Sequence, residues 1–147
     1  MSANRYKNAE GYADPTAGEA ISAAMRDYRQ KQRKTFAAKH RMRVYVASPY
    51  RGENVRENLR AARRYCRIVI DAGHMPIAPH LIYPQILNDE IEEERELGLA
   101  FGISLLKLCD ELWVFGEPSE GMRGEIAEAQ RMRRQIVYFD AEGNRKP

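Results

Sequence analysis

Residues 111–125 read Glu-Leu-Trp-Val-Phe-Gly-Glu-Pro-Ser-Glu-Gly-Met-Arg-Gly-Glu and combine a strand, a turn and the start of a helix. The apolar run at 112–115 predicts a buried strand, and the glycine and proline behind it predict the turn. Gly121 and Gly124 let a ligand approach the backbone, while the amides and dipole of the helix start favour an anion. A carboxylate at Glu125 is expected to stay ionised there and to act as a nucleophile. The stretch therefore predicts a site at the carboxyl end of a parallel strand, unless its acids only complement the helix dipole.

The composition indicates a globular protein whose basic charge is concentrated at one end. Of 147 residues, 44% are hydrophobic and 31% are charged, which is ordinary for a globular domain. Residues 1–43 carry ten Lys or Arg against four Asp or Glu, whereas the whole chain has a net charge of only +3. Cys66 and Cys109 form neither a metal motif nor a disulfide framework, so we expect a cytoplasmic protein without a metal or other cofactor. The absence of a signal core and of a long apolar run predicts neither secretion nor membrane insertion.

Two segments are expected, a basic helical arm at 1–42 and an α/β domain at 43–147. Helix-start signals in Asp-Pro-Thr-Ala-Gly-Glu at 14–19 predict an arm helix from about 15 to 39. The basic residues between 26 and 43 most simply form a solvated helical face. Nucleic acid is an alternative partner, which we disfavour because neither interleaved aromatic residues nor a DNA-binding motif accompanies the charge.

The arm also carries apolar side chains that a single helix cannot bury by itself, namely Tyr6, Tyr12, Ala20, Ala24, Tyr28 and Phe36. A predicted helix at 90–108 has Gly98 and Gly102 one turn apart, and this notch would let another helix approach closely. We therefore expect a homo-oligomer. The alternative is that the arm folds back and buries the same side chains within one chain.

Strands and helices alternate through the predicted domain. Apolar patterns predict strands at 44–47, 74–79, 111–115 and 136–139, and helical patterns predict helices at about 55–72, 90–108 and 121–133. The second strand contains two prolines, which sheets tolerate at their edges, and this favours the strand order 2-1-3-4. The alternation predicts a three-layer, flavodoxin/Rossmann-like α/β fold with a parallel sheet of about four to five strands.

Three loops that follow strands converge in such a fold, at 48–54, 79–84 and 116–125. Together they hold the candidate ligand-binding residues Ser48, Tyr50, Arg51, Gly52, His80, Tyr83, Ser119, Gly121, Met122 and Glu125. A nucleotide has an anionic group, a sugar and a base. These residues offer groups that suit each part: hydroxyls, backbone amides, rings, a cation and a carboxylate. For His80, which lies beside a proline, the alternative is a hydrogen bond within its own loop.

Four segments of the chain resemble the nucleoside 2-deoxyribosyltransferase-like superfamily, and in particular its phage and bacterial branch. They are Val-Tyr-Val-Ala-Ser-Pro-Tyr-Arg-Gly (44–52), Pro-Ile-Ala-Pro-His-Leu (76–81), Cys-Asp-Glu-Leu-Trp-Val-Phe-Gly (109–116) and Ser-Glu-Gly-Met-Arg-Gly-Glu-Ile-Ala-Glu-Ala (119–129). The similarity covers roughly residues 43–140 and leaves out the arm.

The resemblance implies that Glu125 is a nucleophile that attacks C1′ of the sugar and expels the base, with His80 as a second catalytic residue. A base or water then resolves the ribosyl-enzyme, as in retaining glycosidases. Ser119 occupies the position at which the similar 2′-deoxynucleoside 5′-phosphate N-hydrolases contact phosphate. Gly121 and Arg51 are expected to join it there. The implied substrate is a (deoxy)nucleoside 5′-monophosphate or a nucleoside.

One departure from the family pattern stands at Gly102, where the family usually has an aspartate near the sugar and base. Either His80 or a residue of the 80–95 segment takes over its role, or catalysis is weak or absent. A nucleotide-binding protein without turnover is therefore one rival interpretation. A nucleic-acid-binding accessory protein that acts through the arm is the other.

Overall fold

The structure, a computed structural model, describes residues 15–38 and 41–147 and, for residues 34–38, the backbone alone. The chain consists of two compact units, and the boundary between them lies after residue 40. The predicted helix-capping Asp14 lies outside the described residues. Tyr6, Tyr12 and the side chain of Phe36 lie outside them as well.

In the first unit, the described residues form the helix α1, which spans Pro15–Ala38. Ile21, Met25 and Tyr28 recur along it at helical spacing, and all three side chains are exposed. These side chains form an exposed apolar stripe along the helix. The homo-oligomer that the arm suggested stays a prediction.

The second unit alternates strands and helices as the sequence predicts. Its elements are β1 (Arg43–Ala47), α2 (Val55–Asp71), β2 (Met75–Ile77), α3 (Glu92–Lys107), β3 (Glu111–Phe115), α4 (Glu120–Arg131) and β4 (Gln135–Phe139). Two short 3-10 turns, Pro79–Leu81 and Tyr83–Gln85, lie between β2 and α3. Helix α3 begins later than predicted because Asn88 accepts a hydrogen bond from the Glu90 amide, 3.0 Å away, and holds a turn there.

The four strands form one parallel sheet in the order β2-β1-β3-β4, which confirms the predicted topology. Strand β2 is an edge strand, and its Pro76 pairs in register with Val44 of β1. The strand is only three residues long, because a second proline, Pro79, opens the 3-10 turn instead of extending the sheet. Strands β1 and β3 are neighbours although they are not consecutive. Their carboxyl ends therefore flank the crevice in which open α/β sheets bind ligands.

Apolar side chains fill both faces of the sheet and confirm the three-layer arrangement. On one face, α2 packs Tyr65 and Val69 against Trp113, Phe115 and Phe139. The second face is formed by Tyr45, Leu112 and Val114, which pack against Leu106 of α3 and against Met122 and Ala129 of α4. Strands β1 and β3 are buried on both sides, which explains why their sequences are continuously apolar.

Substitution of Phe115 tests this packing, because its ring stacks on two others. The distances between ring centroids are 4.3 Å to Tyr65 and 4.5 Å to Phe139. The side chain is fully buried. We expect Phe115→Ala to lower the free energy of unfolding by about 3–5 kcal/mol, because it leaves a cavity between two rings. Urea denaturation measures the change. Tyr138→Ala on β4 removes an aromatic ring that is 40% exposed and should cost less than about 1.5 kcal/mol. Equal losses in the two variants would contradict the described core.

Candidate active site

A cavity of about 820 Å³ lies at the carboxyl ends of the strands. Of the ten candidate residues, the structure brings nine to its wall: Ser48, Tyr50, Arg51, His80, Tyr83, Ser119, Gly121, Met122 and Glu125. Gly52 is exposed, with a φ of +139°, and does not line the cavity. This backbone conformation favours glycine, so Gly52 serves the turn that leads into α2.

Glu125 is held by a residue that sequence reasoning did not single out. Tyr45 lies in the middle of β1 with 1% of its surface exposed. Its hydroxyl donates a hydrogen bond to Oε1 of Glu125, 2.7 Å away. Burial raises the pKa of Tyr45, so the phenol keeps its proton and remains a donor. The only signal in the sequence is a hydroxyl group within an apolar strand, which reads equally well as core.

The structure corrects the expectation that Glu125 stays fully ionised. Burial raises the pKa of this carboxyl from 4.5 to about 7, although the hydrogen bond from Tyr45 acts in the opposite direction. Helix α4 starts at Glu120, so Glu125 lies in the second turn. The helix dipole acts mainly within the first turn and therefore does not offset the loss of hydration. At neutral pH the Glu125 side chain is therefore present in both its acid and its carboxylate form.

Gly102 of α3 is explained by the same contact. It is buried, and a Cβ atom at this position would lie 3.1 Å from the hydroxyl oxygen of Tyr45. Such a contact is tighter than nine in ten Cβ contacts in proteins, so the neighbouring atoms would have to move apart by a few tenths of an ångström. Glycine therefore leaves space for the hydroxyl group that holds Glu125.

Ser48 and His80 form a second polar contact on the cavity wall. Oγ of Ser48 lies 2.9 Å from Nε2 of His80, and only 6% of Ser48 is exposed. Burial lowers the pKa of His80 to about 4, so the imidazole is neutral near pH 7. A neutral imidazole offers one hydrogen-bond donor and one acceptor. His80 thus suits a polar ligand group better than it suits the role of a cationic acid.

Ser119 is the N-cap of α4. Its hydroxyl oxygen accepts a hydrogen bond from the backbone amide of Met122 at 3.4 Å, and its own amide points toward the Met122 sulfur. The hydroxyl proton remains available to a ligand. The amides of Glu120 and Gly121 belong to the first helical turn and have no partner within the helix. Ser119 and these amides together can bind an anion at the cavity wall.

An ion pair between Arg51 and Asp89 also lines the cavity. Arg51 lies 3.4 Å from Asp89, measured from the guanidinium nitrogen to Oδ2, and both residues line the cavity. Tyr50 lies beside them, and its pKa is raised by burial and further by the Asp89 charge. Asp89 is not among the candidate residues that the sequence indicated. The structure places it three residues before the start of α3.

The described parts of the chain, 15–38 and 41–147, contain no cluster of three His, Cys, Asp or Glu side chains arranged to hold a metal ion. Within the same ranges, no helix is long and apolar enough to cross a membrane.

The hydrogen bond from Tyr45 should set the pKa of Glu125. We expect Tyr45→Phe to raise this pKa above about 7, because the carboxylate loses the donor that favours its charged form. Carbon-13 NMR of the labelled glutamate side chain, followed against pH, measures the change. Tyr138→Phe on β4 serves as the control and should leave the titration where it is. An unchanged or lowered pKa in Tyr45→Phe would contradict the described contact.

Ionisation of Glu125 should also cost stability. Its pKa is higher in the folded chain than the ordinary 4.5, so the folded state holds the proton more tightly. Stability from this group is greatest below pH 4.5 and decreases as the pH rises to about 7. We expect Glu125→Gln to be more stable than the unsubstituted protein at pH 8, by on the order of 2 kcal/mol, and to lose this advantage at pH 4.5. Denaturant unfolding at both pH values tests this, with the exposed Glu96→Gln as the control. A difference that does not depend on pH would contradict it.

Comparison with known proteins places the second unit in a family and identifies its fold. A solved 2-deoxyribosyltransferase from the psychrotolerant bacterium Bacillus psychrosaccharolyticus is similar in structure, with a TM-score of 0.52 and 19% sequence identity. The match covers 67% of this chain and 72% of that enzyme, and it shows a shared fold, as the sequence resemblance implied. No curated protein matches the sequence. The model of a family described as a domain of unknown function, DUF7768, matches residues 42–139, and the chain belongs to that family.

Proposed function

We propose that this protein cleaves or transfers the N-glycosidic bond of a (deoxy)nucleoside 5′-monophosphate or a nucleoside, with Glu125 as the nucleophile. One observation carries the proposal. The Glu125 carboxyl lies at the cavity wall and accepts a hydrogen bond of 2.7 Å from the buried Tyr45 hydroxyl. A carboxylate fixed in this way can meet the anomeric carbon of a bound sugar. The similarity in fold to a 2-deoxyribosyltransferase supports the choice of a nucleoside-type substrate.

The chemistry follows from the position of this carboxyl. Tyr45 engages Oε1, so Oε2 is the oxygen that attacks C1′. The bond from C1′ to the base nitrogen breaks, its electron pair leaves with the base, and the base takes up a proton from water. A glycosyl ester on Glu125 results. Water or a second base then attacks C1′ and releases the carboxylate, so that two inversions retain the configuration at this carbon.

The other wall residues provide for the rest of the substrate. At the N-terminus of α4, the Ser119 hydroxyl and the Gly121 amide can accept a 5′-phosphate, which a carboxylate in place of the serine would repel. The neutral His80 and its partner Ser48 suit the hydroxyl groups of the sugar or a polar atom of the base. The ring of Tyr50 suits stacking on the base.

Incubation with a panel of nucleosides and nucleoside 5′-monophosphates, scored for released base, tests the proposal. We expect release from at least one deoxynucleotide, at a rate that rises with pH up to about 7 as Glu125 ionises. Glu125→Gln should lower the rate by about a thousandfold or more, because the amide is a poor nucleophile.

Glu128→Gln is the matched control. Glu128 lies on the same helix and lines the same cavity, but it is paired with Arg131. Its substitution should change the rate by less than about tenfold. Release from no substrate by the unsubstituted protein, or equal losses in the two variants, would refute the assignment of Glu125.

The glycine at position 102 favours a second candidate, a protein that binds nucleotides without cleaving them. No carboxyl group is available at this position to assist the leaving base, and an added side chain would press on Tyr45. Isothermal titration calorimetry distinguishes the two candidates. Nucleotide binding without release of base, at any pH between 5 and 9, would establish the binding protein instead of the enzyme.

A further inference from the structure

The charged groups of the cavity are distributed unevenly between its walls. Of the described residues that line it, four carry a carboxyl group, and three of these lie on α4: Glu120, Glu125 and Glu128. The fourth, Asp89, lines the cavity from the segment before α3 and pairs with Arg51, which follows β1. At this part of the cavity wall, one acceptor group therefore lies beside one donor group.

Asp89 is held in place by its neighbours in the chain. The side chain of Asn88 accepts a hydrogen bond from the Glu90 amide at 3.0 Å, so a tight turn encloses Asp89. The backbone amide of Asn88 donates to Glu94, in the first turn of α3. These contacts tie the segment to a helix and make Asp89 a positioned group and not a freely moving one.

The ion pair contributes little to folding by its own strength. The side chain of Arg51 is 52% exposed and that of Asp89 is 35% exposed, and water screens pairs of this kind. The two charged groups nevertheless remain side by side at a cavity wall. Their arrangement is therefore better explained by what they can offer to a ligand.

We propose that Asp89 and Arg51 together bind the edge of the nucleobase, with Asp89 accepting a ring N–H and Arg51 donating to the adjacent carbonyl oxygen. The ligand class is a base with such an oxo-imino edge, a 6-oxopurine or a 4-oxopyrimidine. This inference rests on the proposed function, because it takes a nucleotide or nucleoside as the ligand.

The chemistry of the two groups supports this class of base. A carboxylate only accepts hydrogen bonds and a guanidinium only donates them, so the pair is complementary to an N–H next to a C=O. The bonds are charge-assisted, which strengthens them. Tyr50, the neighbour of Arg51, adds an aromatic ring against which a base held at this edge can stack.

Calorimetry on the full chain tests the inference with two probes, 2′-deoxyinosine 5′-monophosphate and its N1-methyl analogue, which lacks the ring N–H. We expect methylation to weaken binding to the unsubstituted protein at least tenfold. In Asp89→Ala this penalty should fall below threefold, because the acceptor is gone. Asp89→Leu keeps about the same side-chain shape without any acceptor, and it should likewise reduce the penalty. Glu90→Ala, an exposed neighbour that does not line the cavity, should retain the full penalty.

The outcomes separate this inference from the proposed function. An equal methylation penalty with and without the Asp89 carboxylate would overturn the role of Asp89, whether or not the protein releases base. Loss of base release in Glu125→Gln, with the penalty unchanged by either Asp89 substitution, would leave the enzyme in place and remove the base contact alone. Failure of both probes to bind would overturn this inference, while release of base from other nucleotides would still support the enzyme.

Discussion

The hydrogen bond between Tyr45 and Glu125 joins the centre of the sheet to α4, and the rest of the site is arranged around it. Tyr45 belongs to β1, a strand that is covered on both faces and paired on both edges. A glycine on α3 leaves room for this hydroxyl group, because a Cβ atom at Gly102 would lie 3.1 Å from the hydroxyl oxygen. Three elements that are distant in the sequence must therefore pack correctly before the carboxyl group is positioned.

Burial shifts the pKa values of two groups at the cavity wall in opposite directions. It raises the pKa of Glu125 and lowers that of His80, because the charged form of each group loses hydration. Both groups are thereby driven toward neutrality. An acid and a base with separated pKa values in one cavity are a common feature of sites that transfer protons or form covalent intermediates.

Under the proposed function, different elements at the cavity would bind different parts of a substrate. Helix α4 provides first-turn amides, a hydroxyl group and the carboxyl of Glu125, which would suit the phosphate and the anomeric carbon. The segments after β1 and before α3 provide the pair of Arg51 and Asp89, which would suit a base with a donor and an acceptor side by side. These elements meet at the cavity because the parallel strands end together at one crevice.

The fold was accessible from the sequence because its signals are local. Apolar runs of four or five residues indicated β1 and β3, and the prolines at 76 and 79 placed β2 at an edge, as the strand order confirms. Ser119 was named because of the family resemblance and its place in a loop that follows a strand, and the carboxyl ends of parallel strands lie together in any sheet of this topology. For these reasons, nine of the ten candidate residues do line the cavity.

Only the tertiary structure revealed how these residues act on one another. Tyr45 looked like core because its neighbours in β1 are apolar, and its partner Glu125 is 80 residues away. Asp89 was not recognised as a site residue, because its placement depends on the turn at Asn88 and on an ion pair with Arg51, which is distant in the sequence. The charge state of Glu125 was misjudged for the same reason. Hydration depends on which groups surround a carboxyl in space, and neighbours along the chain do not determine that.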